Sequence, residues 1–473
     1  MDQLLWSGVM ADIETDYLVV GAGAMGMAFT DTLVSETDAS AVVVDRGHQP
    51  GGHWTTAYPF VRLHQPSAFY GVNSRPLGSG AVDAAGWNKG LYELATGGEV
   101  CAYFDQVMQQ QLLPTGRVAY YPMSEYHGDC RFSTLGGQTY TVTARRAVVD
   151  ATYMGTVVPS MRPPEYAVAE AIACIPPNAL PIRARGFDRY VIVGAGKTGI
   201  DTCLWLLGHG VAPDRLTWIV PRDAWLLDRA QLQPGPTFAG NSQGAIGARI
   251  EASRDATSVD DLFARLEAAG NLLRLDPMVR PTMYRCATVT VAELDQLRRI
   301  ADVARLGHVT QIEPGKILLE FGEIHTGPST LHIDCTADGA VRGPATAVFD
   351  TDRITLQSVR GCQQVFSAAM IAHVGATRDD DAVKNDLCTP VPHPDSDLDW
   401  LRLAIADNRN QMRWLDDPEL SAWLAVSRLD VVGQLNPPMP DNPRVREKVR
   451  GLIGLAVDAA TKNLERLLSV PLS

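Results

Sequence analysis

Two glycine-rich turns hold the residues best placed to do chemistry. Gly21-Ala22-Gly23-Ala24-Met25-Gly26 and Gly194-Ala195-Gly196-Lys197-Thr198-Gly199 share the pattern GxGxxG. In that spacing the first glycine permits a tight turn, the second lets a pyrophosphate reach the backbone, and the third lets a helix pack closely on the preceding strand. Such a turn holds a dinucleotide, with its phosphates at a helix N-terminus. Gly21, Gly23, Ala24, Met25 and Gly26 are therefore candidate cofactor contacts, and so are Gly194, Gly196, Lys197, Thr198 and Gly199. The second turn is not a Walker loop, because the residues between its glycines are too few and the sequence continues Thr-Gly. Without a ligand, either turn would be a plain strand-turn-helix.

The flanking runs supply the elements that would position these turns. Tyr17 to Val20 reads as a buried strand, and Ala41 to Val44 is a second β-branched run ended by Asp45 and Arg46. A carboxylate about 20 residues beyond the first glycine meets the ribose hydroxyls of a dinucleotide. Around the second turn, Tyr190 to Val193 is a strand, Ile200 to Leu207 an apolar helix, and Leu216 to Val220 a further strand. There Pro221 and Arg222 stand where an acid would be expected. An arginine can pair bidentately with a 2′-phosphate that a carboxylate would repel, which favours NADPH over NADH. The alternative for Arg222 is a solvated loop residue beside Asp223, and for Lys197 simple exposure rather than a phosphate contact.

Gly51-Gly52-His53-Trp54, then Tyr58-Pro59-Phe60-Val61-Arg62-Leu63-His64, then Pro66, Ser67 and Tyr70 follow the first turn. This run resembles the segment after the FAD fingerprint in flavin-containing and Baeyer-Villiger monooxygenases, the class B flavoprotein monooxygenases. In those families the pattern is GGxW, a short gap, YPGxRxD and a tyrosine. Phe60 replaces the usual glycine and His64 the usual aspartate. The resemblance implies FAD on the first turn, with Gly52, His53, Trp54 and Arg62 among its contacts. It also gives catalytic roles to Arg62, which could hold negative charge, to His64, which could relay a proton, and to Asn73, which could donate a hydrogen bond near the flavin. The plainer readings are a neutral pocket residue for His64 and a turn residue for Asn73.

The function so implied is an FAD-dependent, NADPH-using monooxygenase acting on a small molecule with molecular oxygen. Baeyer-Villiger enzymes carry FxGxxxHxxxW or a close relative between the turns, and nothing from Tyr153 to Tyr190 fits it. Oxygenation at nitrogen or sulfur is therefore favoured. One alternative is a flavin-dependent oxidase or dehydrogenase; another, of a different class, is an FAD- and NAD(P)-binding protein without turnover. Tryptophan-type halogenation is disfavoured by the lack of a WxWxIP segment.

The fold class that follows is α/β, with two Rossmann-like dinucleotide-binding domains, the second inserted into the first, and a helical C-terminal region. The expected divisions are 1–158 and 339–395 for the FAD-binding domain, 159–338 for the NAD(P)H-binding domain and 396–473 for the helical region. A proline-rich stretch from Pro159 to Pro181 reads as a linker. Val291 to Ala304 carries apolar residues at helical spacing. Thr330 to Ala337 reads as the strand closing the second domain, with a turn at Asp338-Gly339. By analogy with the same families, a late junction at Gln363 to Ser367 closes over the flavin, and backbone N–H groups there, those of Gln363 and Phe366 among them, are candidate contacts. In the tail, Trp414, Trp423 and Arg409 could line a substrate tunnel or simply pack. The long stretch from Pro443 to Leu468 could cover the active site or form a homodimer contact, and the sequence does not choose.

At 473 residues the chain is long enough for two or three cores. A formal charge of −13 argues against nucleic acid or an anionic membrane as partner. Eight cysteines are scattered without a CxxC pair, so reduced thiols are the default and neither a redox-active disulfide nor a zinc site is expected. No metal is expected. Residues Met1 to Thr15 have no basic start or long apolar stretch, and no run approaches the roughly 18 apolar residues of a membrane span. A cytoplasmic protein is the expectation.

Overall fold

The structure is a computed structural model, and it describes residues 10–337, 345–435 and 442–469. The Asp338-Gly339 turn and the first nine residues lie outside the described residues. β1 (Met10–Val20), α1 (Ala24–Glu36) and β2 (Ala41–Val44) make the first strand-helix-strand unit. β1 and β2 pair in parallel, from Tyr17 opposite Ala41 to Val20 opposite Val44. Both faces of this sheet are covered, which is why its strands read as continuous apolar runs rather than alternating ones. β3 (Val118–Tyr121) extends the sheet beyond β2, and β4 (Thr139–Asp150) lies on the other side of β1.

A second sheet holds β5 (Arg189–Val193), β6 (Leu216–Ile219), β7 (Asp302–Ala304) and β8 (Thr330–Asp334), all parallel, with α2 (Lys197–Gly208) following β5. The strand Cys174–Ile175 pairs with β8 at its edge. The chain then returns to the first sheet, where β9 (Arg353–Thr355) pairs in parallel with β4. The second sheet is thus inserted between strands of the first. α3 (Gln364–Thr377) packs on α1, buried over most of its length, as its all-round apolar sequence requires. α4 (Asp397–Asp416) and α5 (Pro443–Ser469) belong to the helical C-terminal region.

Three expectations are corrected. Val291 to Ala304 is not one helix: the helix ends at Leu297 and residues 302–304 form β7, because Val303 gains a backbone partner in Trp218 at the sheet edge. The proline-rich stretch is more than a linker, since Ala167–Val168 and Cys174–Ile175 each join a sheet. The thiols are not all reduced: Cys286 and Cys362 form a disulfide with Cα atoms 6.6 Å apart. Cys286 lies in a bulge of the strand Met283–Val289, and both partners have left-handed backbones, at φ 56° and 58°. The pairing joins residues 76 apart from separate parts of the fold, so no local spacing announces it. Six cysteines are free. Denatured without reductant, the protein is expected to expose six reactive thiols to an alkylating reagent, and eight after reduction; eight in both states would contradict the pairing.

Candidate functional site

The first glycine turn is built so closely that side chains are excluded from it. A Cβ on Gly26 would lie 2.0 Å from the carbonyl oxygen of Gly21, and one on Gly52 would lie 2.9 Å from Cα of Gly23. The Gly51-Gly52 segment therefore seats directly on the turn, backbone to backbone, and Gly51 N–H donates to the Ala22 carbonyl at 2.9 Å. Asp45, at the end of β2, accepts the Ala22 N–H at 2.5 Å and the Gly47 N–H at 2.6 Å. Its carboxylate braces the turn and keeps lone pairs for a further donor. Ala24 is half-buried, Met25 is buried in the core, and Arg46 is exposed.

The segment from His53 to Tyr70 spans from this turn to the second. Trp54 Nε1 donates to the Tyr70 hydroxyl at 2.7 Å. Tyr58 donates its hydroxyl to Asp201 Oδ2 on α2 at 2.8 Å, and Lys197 pairs with the same carboxylate. Phe60, which stands where a glycine was expected, stacks on Trp205 of α2 with ring centroids 5.2 Å apart. The departure at Phe60 thus has a packing role across the seam between the two units. Lys197 is held against Asp201, one helical turn along, rather than left exposed.

His64 lies in the same seam. Its carbonyl accepts from Arg229 Nε at 3.0 Å, while its Nδ1 is buried without a hydrogen-bond partner among the described residues. Burial, with the charges of Lys197 and Arg229, pushes its pKa down to about 3. Burial also lowers His53, to about 4. Both rings are neutral near pH 7, so His64 is no proton reservoir there but can offer one hydrogen bond to a ligand. The unfolded chain protonates His64 near pH 6.5, while the folded protein refuses that proton until about pH 3. Acidification through that window therefore favours unfolding. A His64→Gln variant is expected to lose less stability than the parent between pH 6 and pH 4, read from denaturant midpoints at each pH. Equal losses would show that His64 is protonated in the folded state.

Arg62, His64 and Asn73, the three residues expected to be catalytic, sit in three different surroundings. Arg62 is exposed, and its charge acts on Glu99, whose carboxyl is held low chiefly by the Thr96 N–H and hydroxyl. Asn73 Oδ1 accepts from the Ser427 hydroxyl at 3.1 Å. The neighbouring Arg428, which carried no signal in the sequence, clamps this loop by donating to the carbonyls of Ala68 (2.6 Å), Tyr70 (2.6 Å) and Val72 (2.9 Å). Ser74 is fixed from the other side, its N–H bonded to Asp31 Oδ2 at 3.0 Å. Loop 68–74 is therefore set by the C-terminal region, which no local pattern reveals.

The second turn repeats the first in outline. A Cβ on Gly199 would lie 2.1 Å from the Gly194 carbonyl oxygen, and Trp218 Nε1 donates to that oxygen at 2.9 Å. Gly196 is exposed at the start of α2, and Thr198 is half-buried. Arg222 is not a bare cation: it pairs with Asp395 at 2.9 Å and donates to the Thr282 carbonyl at 3.0 Å. Burial works against the Asp395 charge, but the guanidiniums of Arg222 and Arg285 outweigh it and hold the carboxyl down at about 2. The structure thus sets a carboxylate against the side chain expected to take a 2′-phosphate.

At the late junction, the two expected contacts diverge. Gln363 caps α3, and its Oε1 is buried without a hydrogen-bond partner among the described residues. The first-turn N–H groups of α3 have no partner within the helix and point the same positive dipole end outward. The side chain of Phe366 is fully buried: Arg360 lies over its ring at 4.3 Å, with Trp414 at 5.9 Å and Trp423 at 6.3 Å. The apolar interior claims that ring, so the contact expected of Phe366 falls to its backbone N–H alone. Trp414 and Trp423 pack rather than line a tunnel, and Arg409 pairs with Glu465. Among the described residues, no group of His, Cys, Asp and Glu could hold a metal ion.

Residues 19–73 match a family model described as an NAD(P)-binding Rossmann-like domain. Over 461 residues the chain is 62% identical to the protein Rv2000 of Mycobacterium tuberculosis (strain ATCC 25618 / H37Rv), covering 98% of this chain and 86% of that one. The figures are the same for Mb2023 of Mycobacterium bovis (strain ATCC BAA-935 / AF2122/97). Among solved structures, the open crystal structure of cyclohexanone monooxygenase is similar at 14% identity, over 76% of this chain and 88% of that chain, with a TM-score of 0.48.

Proposed function

The chain belongs to the same family as the mycobacterial proteins Rv2000 and Mb2023, and we propose that it is an FAD-dependent, NADPH-using monooxygenase that oxygenates a small molecule at nitrogen or sulfur. One observation carries this reading: the segment Gly51 to Tyr70 seats on the first glycine turn through Gly52 and reaches α2 behind the second through Tyr58 and Phe60. Two dinucleotide cradles joined in that way suit hydride transfer between a nicotinamide and a flavin. The residues fit FAD. A turn from which a Cβ is excluded at Gly26 and Gly52 leads into the N-terminus of α1, and Gln363 Oε1 and His64 Nδ1 are buried polar atoms left over for a ligand. FAD, when bound, supplies the redox chemistry with NADPH and oxygen.

The chain's own residues bind and orient. Gly21, Gly23, Ala24, Met25 and Gly26 hold the pyrophosphate, Asp45 takes a ribose hydroxyl, and Gly52, His53, Trp54, Gln363 and the N–H of Phe366 surround the flavin. Gly194, Gly196, Lys197, Thr198 and Gly199 hold the NADPH phosphates. Arg222 reaches a 2′-phosphate by exchanging Asp395 for it. Exposed Arg62 serves the negative charge of NADPH, and neutral His64 donates or accepts one hydrogen bond. Residues 1–158 and 339–395 form the FAD-binding part, 159–338 the NADPH-binding part, in a cytoplasmic protein.

A second reading, an oxidase or dehydrogenase using oxygen only as electron acceptor, is favoured by the dispersal of Arg62, His64 and Asn73 into separate surroundings. The purified protein is expected to be yellow and to be bleached by NADPH under nitrogen. On admitting oxygen, an N- or S-oxide of a test amine or sulfide supports the monooxygenase. Stoichiometric hydrogen peroxide without such a product supports the oxidase. A colourless protein that takes up no FAD overturns both.

A further inference from the structure

α5 is two helices in character. Its C-terminal half is packed: Val457, Ala460, Thr461, Leu464 and Leu467 are buried, and Asn463 donates to the carbonyls of Ser253 and Ala256, both at 2.9 Å. Its N-terminal half is not. Val445 is 46% exposed, Leu452 59%, Ile453 40% and Leu455 70%. Val445, Val449, Leu452 and Ala456 follow the i, i+4, i+7, i+11 spacing of a single helical stripe. Gly454 falls on the opposite side, where an added Cβ would lie 3.2 Å from Met412 Cε on α4. The helix therefore rests on the protein by a glycine and turns its aliphatic side outward.

The charges around that stripe are of one sign. Between Pro443 and Ala456 stand Arg444, Arg446, Lys448 and Arg450 against a single acid, Glu447, in a chain whose formal charge is −13. Helical geometry sets Lys448 and Arg444 along one flank of the stripe and Arg446 along the other. Apolar side chains bordered by long cationic ones suit an interface where the former enter hydrocarbon and the latter reach phosphate.

We propose that the N-terminal half of α5 docks this protein on an anionic lipid surface. Val445, Val449, Leu452 and Leu455 enter the boundary between headgroups and acyl chains, and Arg444 and Lys448 meet lipid phosphates. Among the described residues no helix is long and apolar enough to cross a membrane, so the helix lies on the surface. The acidic remainder of the chain does not forbid this, because charges more than about 8 Å apart are largely screened at physiological salt. A second copy of the chain fits less well. A few aliphatic side chains fall short of the roughly 800 Å² per partner of a stable interface, and stripe-to-stripe pairing would bring like charges together. This proposal departs from the expectation drawn from net charge, since a surface meets the local charge and not the sum.

The test is co-sedimentation of the full-length protein with sucrose-loaded vesicles of phosphatidylcholine alone or of phosphatidylcholine and phosphatidylglycerol in equal parts. Binding to the anionic vesicles is expected to exceed binding to neutral ones by more than about tenfold and to fall away at high salt. Leu452→Ser with Leu455→Ser, and separately Arg444→Glu with Lys448→Glu, are expected to abolish it while leaving the thermal midpoint unchanged. Equal sedimentation with both vesicle types, or binding that survives both double variants, overturns the proposal. So does a dimer in light scattering that Leu452→Ser with Leu455→Ser converts to a monomer, since a second copy would then own the stripe. None of these readouts requires FAD or turnover, so the result stands apart from the fate of the monooxygenase assignment.

Discussion

Gly26→Ala is expected to give a folded protein that does not retain FAD, and Gly199→Ala one that stays yellow but is no longer bleached by NADPH. The two substitutions add the same single carbon. At Gly26 it would fall 2.0 Å from the Gly21 carbonyl oxygen, and at Gly199 2.1 Å from the Gly194 carbonyl oxygen. Neither backbone can give way freely. Gly21 N–H is bonded to the Val44 carbonyl at 2.8 Å and Gly194 N–H to the Ile219 carbonyl at 3.1 Å, so each turn is pinned to its neighbouring strand. The helix must move instead, and its N-terminus with it. Overpacking of this kind costs about 1–3 kcal/mol, and a helix end displaced from the phosphates loses their binding as well. A fall in affinity of about tenfold to a hundredfold is the scale expected for each cofactor. Quenching of flavin fluorescence on titration measures the first, and the rate of anaerobic bleaching at rising NADPH the second. If the two variants lose the same cofactor, the assignment of one dinucleotide to each turn is wrong.

Arg229→Met is expected to be the most destabilising single change in the seam. The Arg229 side chain is 3% exposed and pairs with Glu293 at 2.9 Å. It also donates to the His64 carbonyl, Asn88 Oδ1 at 3.1 Å and the Thr288 carbonyl at 3.3 Å. Removing one partner of a buried ion pair strands the other, at a cost of about 3–5 kcal/mol. Adding Glu293→Gln removes the stranded charge while keeping an acceptor for the Thr290 N–H, which Glu293 caps at 2.8 Å. The double variant is expected to recover about half of the loss, measured as the shift in urea midpoint. A single variant as stable as the parent would mean that Arg229 is solvated and the seam looser than described.

Much of the first unit could be read without coordinates because its determinants are local. Three glycines, two apolar runs and a terminal aspartate fix a strand-turn-helix whatever surrounds them; α1 and β2 fall within a few residues of the expectation, while β1 begins at Met10 rather than Tyr17 because it also pairs with β4 from Thr139 onward. β5 and α2 likewise fall within a few residues of the expectation. The helix Ala239–Asp255 escaped notice because its glycines and mixed polarity give no amphipathic stripe. At β7, Ile300 and Val303 fit a helical period as well as a strand, and only the edge of the second sheet decides between them.

For the site the division is sharper. Residue order alone determined which backbones can approach a phosphate, since that depends on missing Cβ atoms within a short turn. Only the tertiary structure decided which side chains are left for a ligand. The Phe366 ring lies in the core, Arg222 meets Asp395, Lys197 meets Asp201 and Asn73 meets Ser427, partners 48, 173, 4 and 354 residues away, so a phosphate reaches Arg222 or Lys197 only in exchange for a carboxylate. A turn's conformation is a property of five or six neighbouring residues. A side chain's freedom is settled by whichever distant group arrives beside it, and for all but Lys197 here that group comes from chain folded back across the molecule.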